Sequence, residues 1–109
     1  VGFIGEREFQ LMKRTAIFVN TARGAITDEK ALIKALEEKR IAGAGLDVYS
    51  QEPLPPNHPA TKLSNVVLTP HSGGITQEAI EAGLQLSIDN VFSFLAGTPH
   101  NVVVGPSSF

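Results

Sequence analysis

Three short apolar runs, each too brief for a helix and each emptying into polar residues, constrain this chain more than any other feature. The first, Ala16-Ile17-Phe18-Val19, is rich in β-formers and runs into Asn20-Thr21-Ala22-Arg23-Gly24. The second is Ala44-Gly45-Leu46-Asp47-Val48-Tyr49; the third, Val66-Val67-Leu68-Thr69, is closed by Pro70 and followed by His71-Ser72-Gly73-Gly74. Between the first two, Thr27 or Asp28 can cap a helix with Leu32, Ala35, Leu36 and Lys39 on one face, while Glu29, Lys30, Lys34, Glu37 and Glu38 fall mostly elsewhere. That helix is predicted to end near Arg40, with Gly43 able to take the left-handed conformation that stops it. Strand, crossover helix and strand make one βαβ unit, expected to be parallel and right-handed. The predicted fold class is α/β, with strands over 16–20, 44–49 and 66–69 adjacent in one parallel sheet and helices packed against it.

The remaining segments fit around that sheet. Residues 5–14 hold good helix formers, acidic early and a basic pair late, which predicts a short first helix. Residues 50–65 contain Pro53, Pro55, Pro56 and Pro59, so neither a regular helix nor a central strand can run through them, and loops of that length are usually functional. A long helix is predicted from a Thr76 cap to Gly97, its stripe of Ile80, Leu84, Ile88, Val91, Phe92 and Leu95 being core or a packing face. The tail Val102-Val103-Val104 either adds a small strand or docks.

Composition narrows the function classes. The 109 residues are 42% apolar and 18% charged, the make-up of one globular domain, and a net charge of -2 without a basic run disfavours nucleic acid and polybasic membrane binding. With no cysteine, disulfides, thiolate nucleophiles and cysteine-ligated metals are excluded, and no metal site is expected. No stretch approaches the ~18 apolar residues of a membrane span, so no membrane partner is expected either. The chain opens on Val1 and its one methionine is the interior Met12, which reads as a piece of something longer that leaves one sheet edge and one face bare.

In an open parallel sheet, ligands bind at the C-terminal ends of the strands. That rule brings Arg23, Asp47, Glu52 and His71 to one rim. Arg23 can fork onto a substrate carboxylate, and a Glu beside a His favours the protonated imidazole, so Arg23, Glu52 and His71 together can bind a carboxylate and move a proton. Taken singly, Arg23 reads as a loop arginine, Asp47 as a turn or cap residue, Glu52 as a solvated charge and His71 as a structural histidine. His58 and His100, in proline-flanked loops, read as structural or exposed. Ser72 follows the histidine but lacks a G-x-S-x-G turn, which disfavours hydrolysis. Gly43-Ala44-Gly45 precedes a strand and is no phosphate loop, whereas Gly73-Gly74 can expose backbone N–H groups to an anion or simply make a turn.

Four segments in order, Phe18 to Gly24, Asp28 to Leu36, Ala42 to Leu54 and Leu68 to Gly74, closely resemble the D-isomer-specific 2-hydroxyacid dehydrogenases over nearly the whole chain. The resemblance implies a Rossmann-like sheet of which this chain is the second half over about 1–75, with 76–109 leading toward a substrate domain. It implies NAD or NADP as cofactor and a small 2-oxo or 2-hydroxy acid as substrate. Arg23 would clamp the substrate carboxylate, His71 would be the acid/base and Glu52 would orient it. Asp47 would contact the nicotinamide end, with Thr21, Ala22, Arg23, His71, Gly73 and Gly74 also at the cofactor. The run from Glu52 to Pro59 looks most like the glyoxylate/hydroxypyruvate reductase branch. A cytoplasmic homodimer is expected of the full-length protein. The C-terminal-binding-protein corepressors also resemble this family, so a dinucleotide-responsive regulatory protein is the alternative. Because no G-x-G-x-x-G is present, the 109 residues alone are expected to be inactive.

Overall fold

The computed structural model describes residues 2–105; Val1 and the last four residues of the expected tail lie outside the described residues. Two compact units are resolved, Val1–Gly73 and Gly74–Phe109. In the first, α1 (Glu6–Leu11) leads to β1 (Ile17–Asn20), a 3-10 turn at Gly24–Ile26, α2 (Glu29–Glu37) and β2 (Gly43–Leu46). A second 3-10 turn at Pro59–Lys62 precedes β3 (Val66–Leu68).

The three strands form one sheet in the order β1-β2-β3, parallel throughout, with Phe18 opposite Ala44 and Leu46 opposite Leu68. Asp28 caps α2, its Oδ1 accepting the Ala31 N–H at 3.1 Å, while Thr27 is buried and serves the loop before it. From α2, Leu32, Ala35 and Leu36 pack with Phe9 of α1, Ile41, and Ala44 and Leu46 of β2 to make the core. Phe9 meets Phe18 edge to face, ring centres 5.4 Å apart, a geometry that aromatic quadrupoles favour. On the other face Ile17, Val19 and Val67 are 70%, 64% and 68% exposed, so β1 is buried on one side only.

Several expected boundaries move. Helix α1 stops at Leu11 because Met12 turns extended and the chain reverses through Lys13, leaving the basic pair outside the helix. Helix α2 is ended by Lys39 at φ 52° and not by Gly43, which lies in β2, and Lys39 is exposed instead of joining the apolar face. Gly43 is needed for a different reason: a Cβ there would sit 2.7 Å from the Asn65 carbonyl oxygen. Strand β2 ends at Leu46, since Asp47 donates its N–H to Asn20 and then leaves the ladder.

In the second unit α3 runs Gln77–Leu95, with the Thr76 Oγ1 accepting the Ala79 N–H at 3.1 Å and Gly97 left-handed just beyond the end. Its apolar stripe is exposed. Residues 102–104 form no strand.

Candidate active site

Buried polar residues organise the turns beyond the strand ends, Asn20 the one after β1 and Asp47 the one after β3. After β1, Asn20 lies two residues beyond Phe18 and so points to the same covered side, where an amide needs partners. Its Nδ2 donates to the Arg23 carbonyl at 3.0 Å and to Thr27 Oγ1 at 3.3 Å, and its Oδ1 accepts the Ala22 N–H at 3.1 Å. The loop is thereby folded around one side chain, leaving Thr21, Ala22 and Arg23 exposed. The Arg23 Nη1 donates to the Ala22 carbonyl at 2.6 Å. Gly24 follows because nothing larger fits: a Cβ would stand 2.1 Å from the Tyr49 carbonyl.

After β2 comes Asp47, 5% exposed. Its Oδ1 accepts from the Thr69 hydroxyl at 2.5 Å and the Ser72 N–H at 2.9 Å, and its Oδ2 accepts the Gly73 N–H at 2.8 Å. The Thr69 hydroxyl and the two N–H groups hold the carboxyl below the ordinary aspartate range. One carboxylate thus fixes the turn that follows β3. A Cβ on Gly73 would come within 2.9 Å of Asp47 Oδ2 and 4.0 Å of the Thr21 Cβ, so glycine keeps open a cradle between the ends of β1 and β2. Gly74 faces open space.

After β3, His71 adopts φ 55°, a left-handed conformation that costs a non-glycine residue on the order of 1 kcal/mol and recurs at functional sites. Its Nδ1 lies 2.7 Å from Glu52 Oε2, and Glu52 Oε1 accepts the Tyr49 N–H at 3.0 Å. The His71 hydrogen bond, the Tyr49 N–H and the charge of Arg23 together hold the Glu52 carboxyl below the ordinary range. The Tyr49 hydroxyl lies 2.9 Å from the Leu46 carbonyl and 2.7 Å from that of Thr69, sharing its proton between the ends of β2 and β3. An open cleft beside the pair is lined by Tyr49, Pro53, Leu54, Leu68 and Pro70 together with Glu52 and His71.

Glu52 and His71 are therefore in direct contact, and Arg23 is close enough for its charge to be felt at Glu52 although it makes no hydrogen bond to either. Thr21, Ala22 and Gly73 are exposed at the strand ends, Gly74 is exposed at the start of the second unit, and Asp47 is occupied in holding the turn. Asn20, Gly24, Tyr49 and Thr69 were not singled out by sequence reasoning. For Asn20 the signal was present: a polar residue in register with Phe18 has to be satisfied inside the fold. The cradle at Gly73 and the exposed backbone of Thr21 and Ala22 fit a flat, extended cofactor such as a dinucleotide, which needs close backbone approach.

Residues 1–73 match the model of the D-isomer specific 2-hydroxyacid dehydrogenase, NAD binding domain. A glyoxylate reductase of Korarchaeum cryptofilum is 50% identical over 101 residues, covering 92% of this chain and 30% of the relative. A glyoxylate/hydroxypyruvate reductase B of an Enterobacter species is 46% identical over 103 residues, 94% of this chain and 32% of the relative. Among solved structures, a D-isomer specific 2-hydroxyacid dehydrogenase from Xanthobacter autotrophicus in complex with NADPH and MES superposes with a TM-score of 0.84 at 36% identity, over 97% of this chain and 43% of that one. The chain spans about a third of the length of the curated relatives it matches. It belongs to the D-isomer-specific 2-hydroxyacid dehydrogenase family.

Proposed function

We propose that this chain is the second half of the nucleotide-binding domain of an NAD(P)-dependent oxidoreductase that reduces a small 2-oxo acid, such as glyoxylate or hydroxypyruvate, to the 2-hydroxy acid, the D isomer where the product is chiral. The observation that carries the reading is the 2.7 Å contact between Glu52 and His71 Nδ1 on the rim that also bears Arg23. Because Nδ1 is taken by Glu52, the ring presents Nε2 to the cleft, and Nε2 is the atom that gives a proton to the substrate carbonyl oxygen. Glu52 fixes the ring's orientation and balances its positive charge. Arg23 takes the substrate carboxylate in a two-point fork and draws electron density from the adjacent carbonyl. Thr21, Ala22, Arg23, Asp47, His71, Gly73 and Gly74 are the residues that would hold the cofactor, with Asp47 at its nicotinamide end. The cofactor, when bound, supplies the hydride. The full-length protein is read as a cytoplasmic homodimer; the exposed apolar stripe of α3 supports self-association, and a cysteine-free composition fits a reducing compartment.

The test is steady-state kinetics of the full-length protein with glyoxylate or hydroxypyruvate and either reduced cofactor. Arg23→Lys keeps the charge but loses the fork, so KM rises and kcat falls. His71→Gln lowers kcat mainly, by roughly 10²–10⁴-fold. A nearly fully active His71→Gln enzyme would overturn the assignment of the proton donor.

A further inference from the structure

A second carboxylate–imidazole pair lies outside the proposed site. Glu29, in the first turn of α2, accepts the Ser50 N–H on Oε2 at 3.1 Å and meets His58 Nε2 with Oε1 at 2.5 Å. The other ring nitrogen, Nδ1, accepts the Ala60 N–H at 3.2 Å, so His58 caps the 3-10 turn Pro59–Lys62. An accepting Nδ1 places the ring proton on Nε2, where it is donated to Glu29. Partial burial opposes ionisation of Glu29, yet the Ser50 and His58 hydrogen bonds outweigh it and hold its carboxyl below the ordinary range.

Ser50 and His58 bracket Glu52 along the chain. Among the described residues, no backbone–backbone hydrogen bond involves residues 50–54, so the segment carrying Glu52 has no ladder or turn of its own to hold it. Ser50 is instead fixed from two sides, its N–H on Glu29 and its backbone against Gly24, where a Cβ would lie 2.6 Å from the Ser50 nitrogen. A small cavity lined in part by Asn20, Gly24, Thr27, Glu29, Tyr49 and His58 joins this anchor to the back of the Arg23 loop.

We propose that Glu29 and His58 are positioning residues for the acid/base pair: they fasten the loop on both sides of Glu52 to the rigid start of α2 and so present its carboxylate to His71. Half-buried, fully partnered groups of this kind set the orientation of the side chains that touch a ligand. The inference rests on the role proposed for Glu52 and His71, and its test is built so that the two can fail separately.

Two variants divide the anchor. Glu29→Gln can accept from only one of its two donors and turns an N–H toward the other. His58→Asn keeps an oxygen able to cap Ala60 but cannot reach Glu29. In the full chain, NMR follows two signatures: the low-field Nδ1–H proton of His71 on Glu52, and solvent exchange of the Tyr49 amide that Glu52 accepts. Both variants are expected to weaken or abolish the first and to speed the second about tenfold or more, while the Leu32 and Leu36 signals of the core stay in place. In the full-length protein kcat falls about tenfold with little change in substrate KM, unlike Arg23→Lys. If His58→Asn, with its core intact, leaves both signatures and kcat as they were, the proposal is overturned, and this variant decides should Glu29→Gln not fold. Signatures that respond in a protein without reductase activity would uphold the positioning role and remove the function proposed above.

Discussion

His71 sits at φ 55° with one ring nitrogen on Glu52, and both facts follow from where the chain needs it. The left-handed turn aims the ring back across the end of β3 toward the loop from β2, and the Asp47 carboxylate holding Ser72 and Gly73 sustains it. Replacing Glu52 with Gln removes the carboxylate that holds the His71 ring at Nδ1, so kcat of the full-length protein should fall with little change in substrate KM; steady-state kinetics that show kcat unmoved would contradict that role. The contact of Glu52 with His71, and the charge of Arg23 felt at Glu52, were legible because a parallel sheet gathers its C-terminal strand ends on one rim. The contributions of Gly24 and Tyr49 were not. Gly24 matters through a close approach to the Tyr49 carbonyl, and no spacing in the chain announces a contact between loops 25 residues apart.

Among the elements, sequence periodicity located all three strands and the helices, but their ends were decided by neighbours. Strand β2 was expected to continue to Tyr49, yet Asp47, buried and bound to Thr69, Ser72 and Gly73, has to leave the ladder to serve the turn beyond β3. The end of α2 shows the same limit. A glycine six residues past the helix looked like its stop, but the pairing of β2 with β1 begins at Gly43, so the reversal has to be completed earlier and falls on Lys39. A lysine in the left-handed region is strained by roughly 1 kcal/mol. Lys39→Gly should therefore stabilise the chain by up to about 1 kcal/mol, less the extra freedom glycine gives the unfolded state, while Asp28→Ala at the other end should cost about 1 kcal/mol. Denaturant titrations of the two variants check both signs.

For the whole molecule, the rim is a set of carboxylates kept ionised by the groups around them. The Thr69 hydroxyl and the Gly73 and Ser72 N–H groups hold Asp47 low, the His71 ring holds Glu52 low, and Glu29 is held low despite its burial. A carboxyl depressed in the folded state contributes stability that is fully present above its unfolded value, about 4, and is lost as pH falls through the folded value. Acidification below pH about 4 should therefore loosen the three turns before the core of Phe9, Leu36 and Ile41 gives way. Amide exchange at Ser72 and Gly73 that quickens ahead of exchange in α2 would bear this out, and Asp47→Asn should flatten that part of the acid response.

The two carboxylate–imidazole pairs differ in what they leave free. His58 spends both ring nitrogens, one on Glu29 and one on Ala60, and its side chain is 14% exposed; His71 spends only Nδ1 and is 43% exposed. An acylating reagent such as diethyl pyrocarbonate needs an unencumbered, unprotonated nitrogen, so the two rings should be chemically unequal toward it. His71 is expected to be carbethoxylated at Nε2 much faster than His58, with mass spectrometry of the digested chain assigning the label. Equal labelling would mean that His58 is not held as described. Through this difference in nucleophilicity, His71 could be tagged selectively over His58 without altering the sequence.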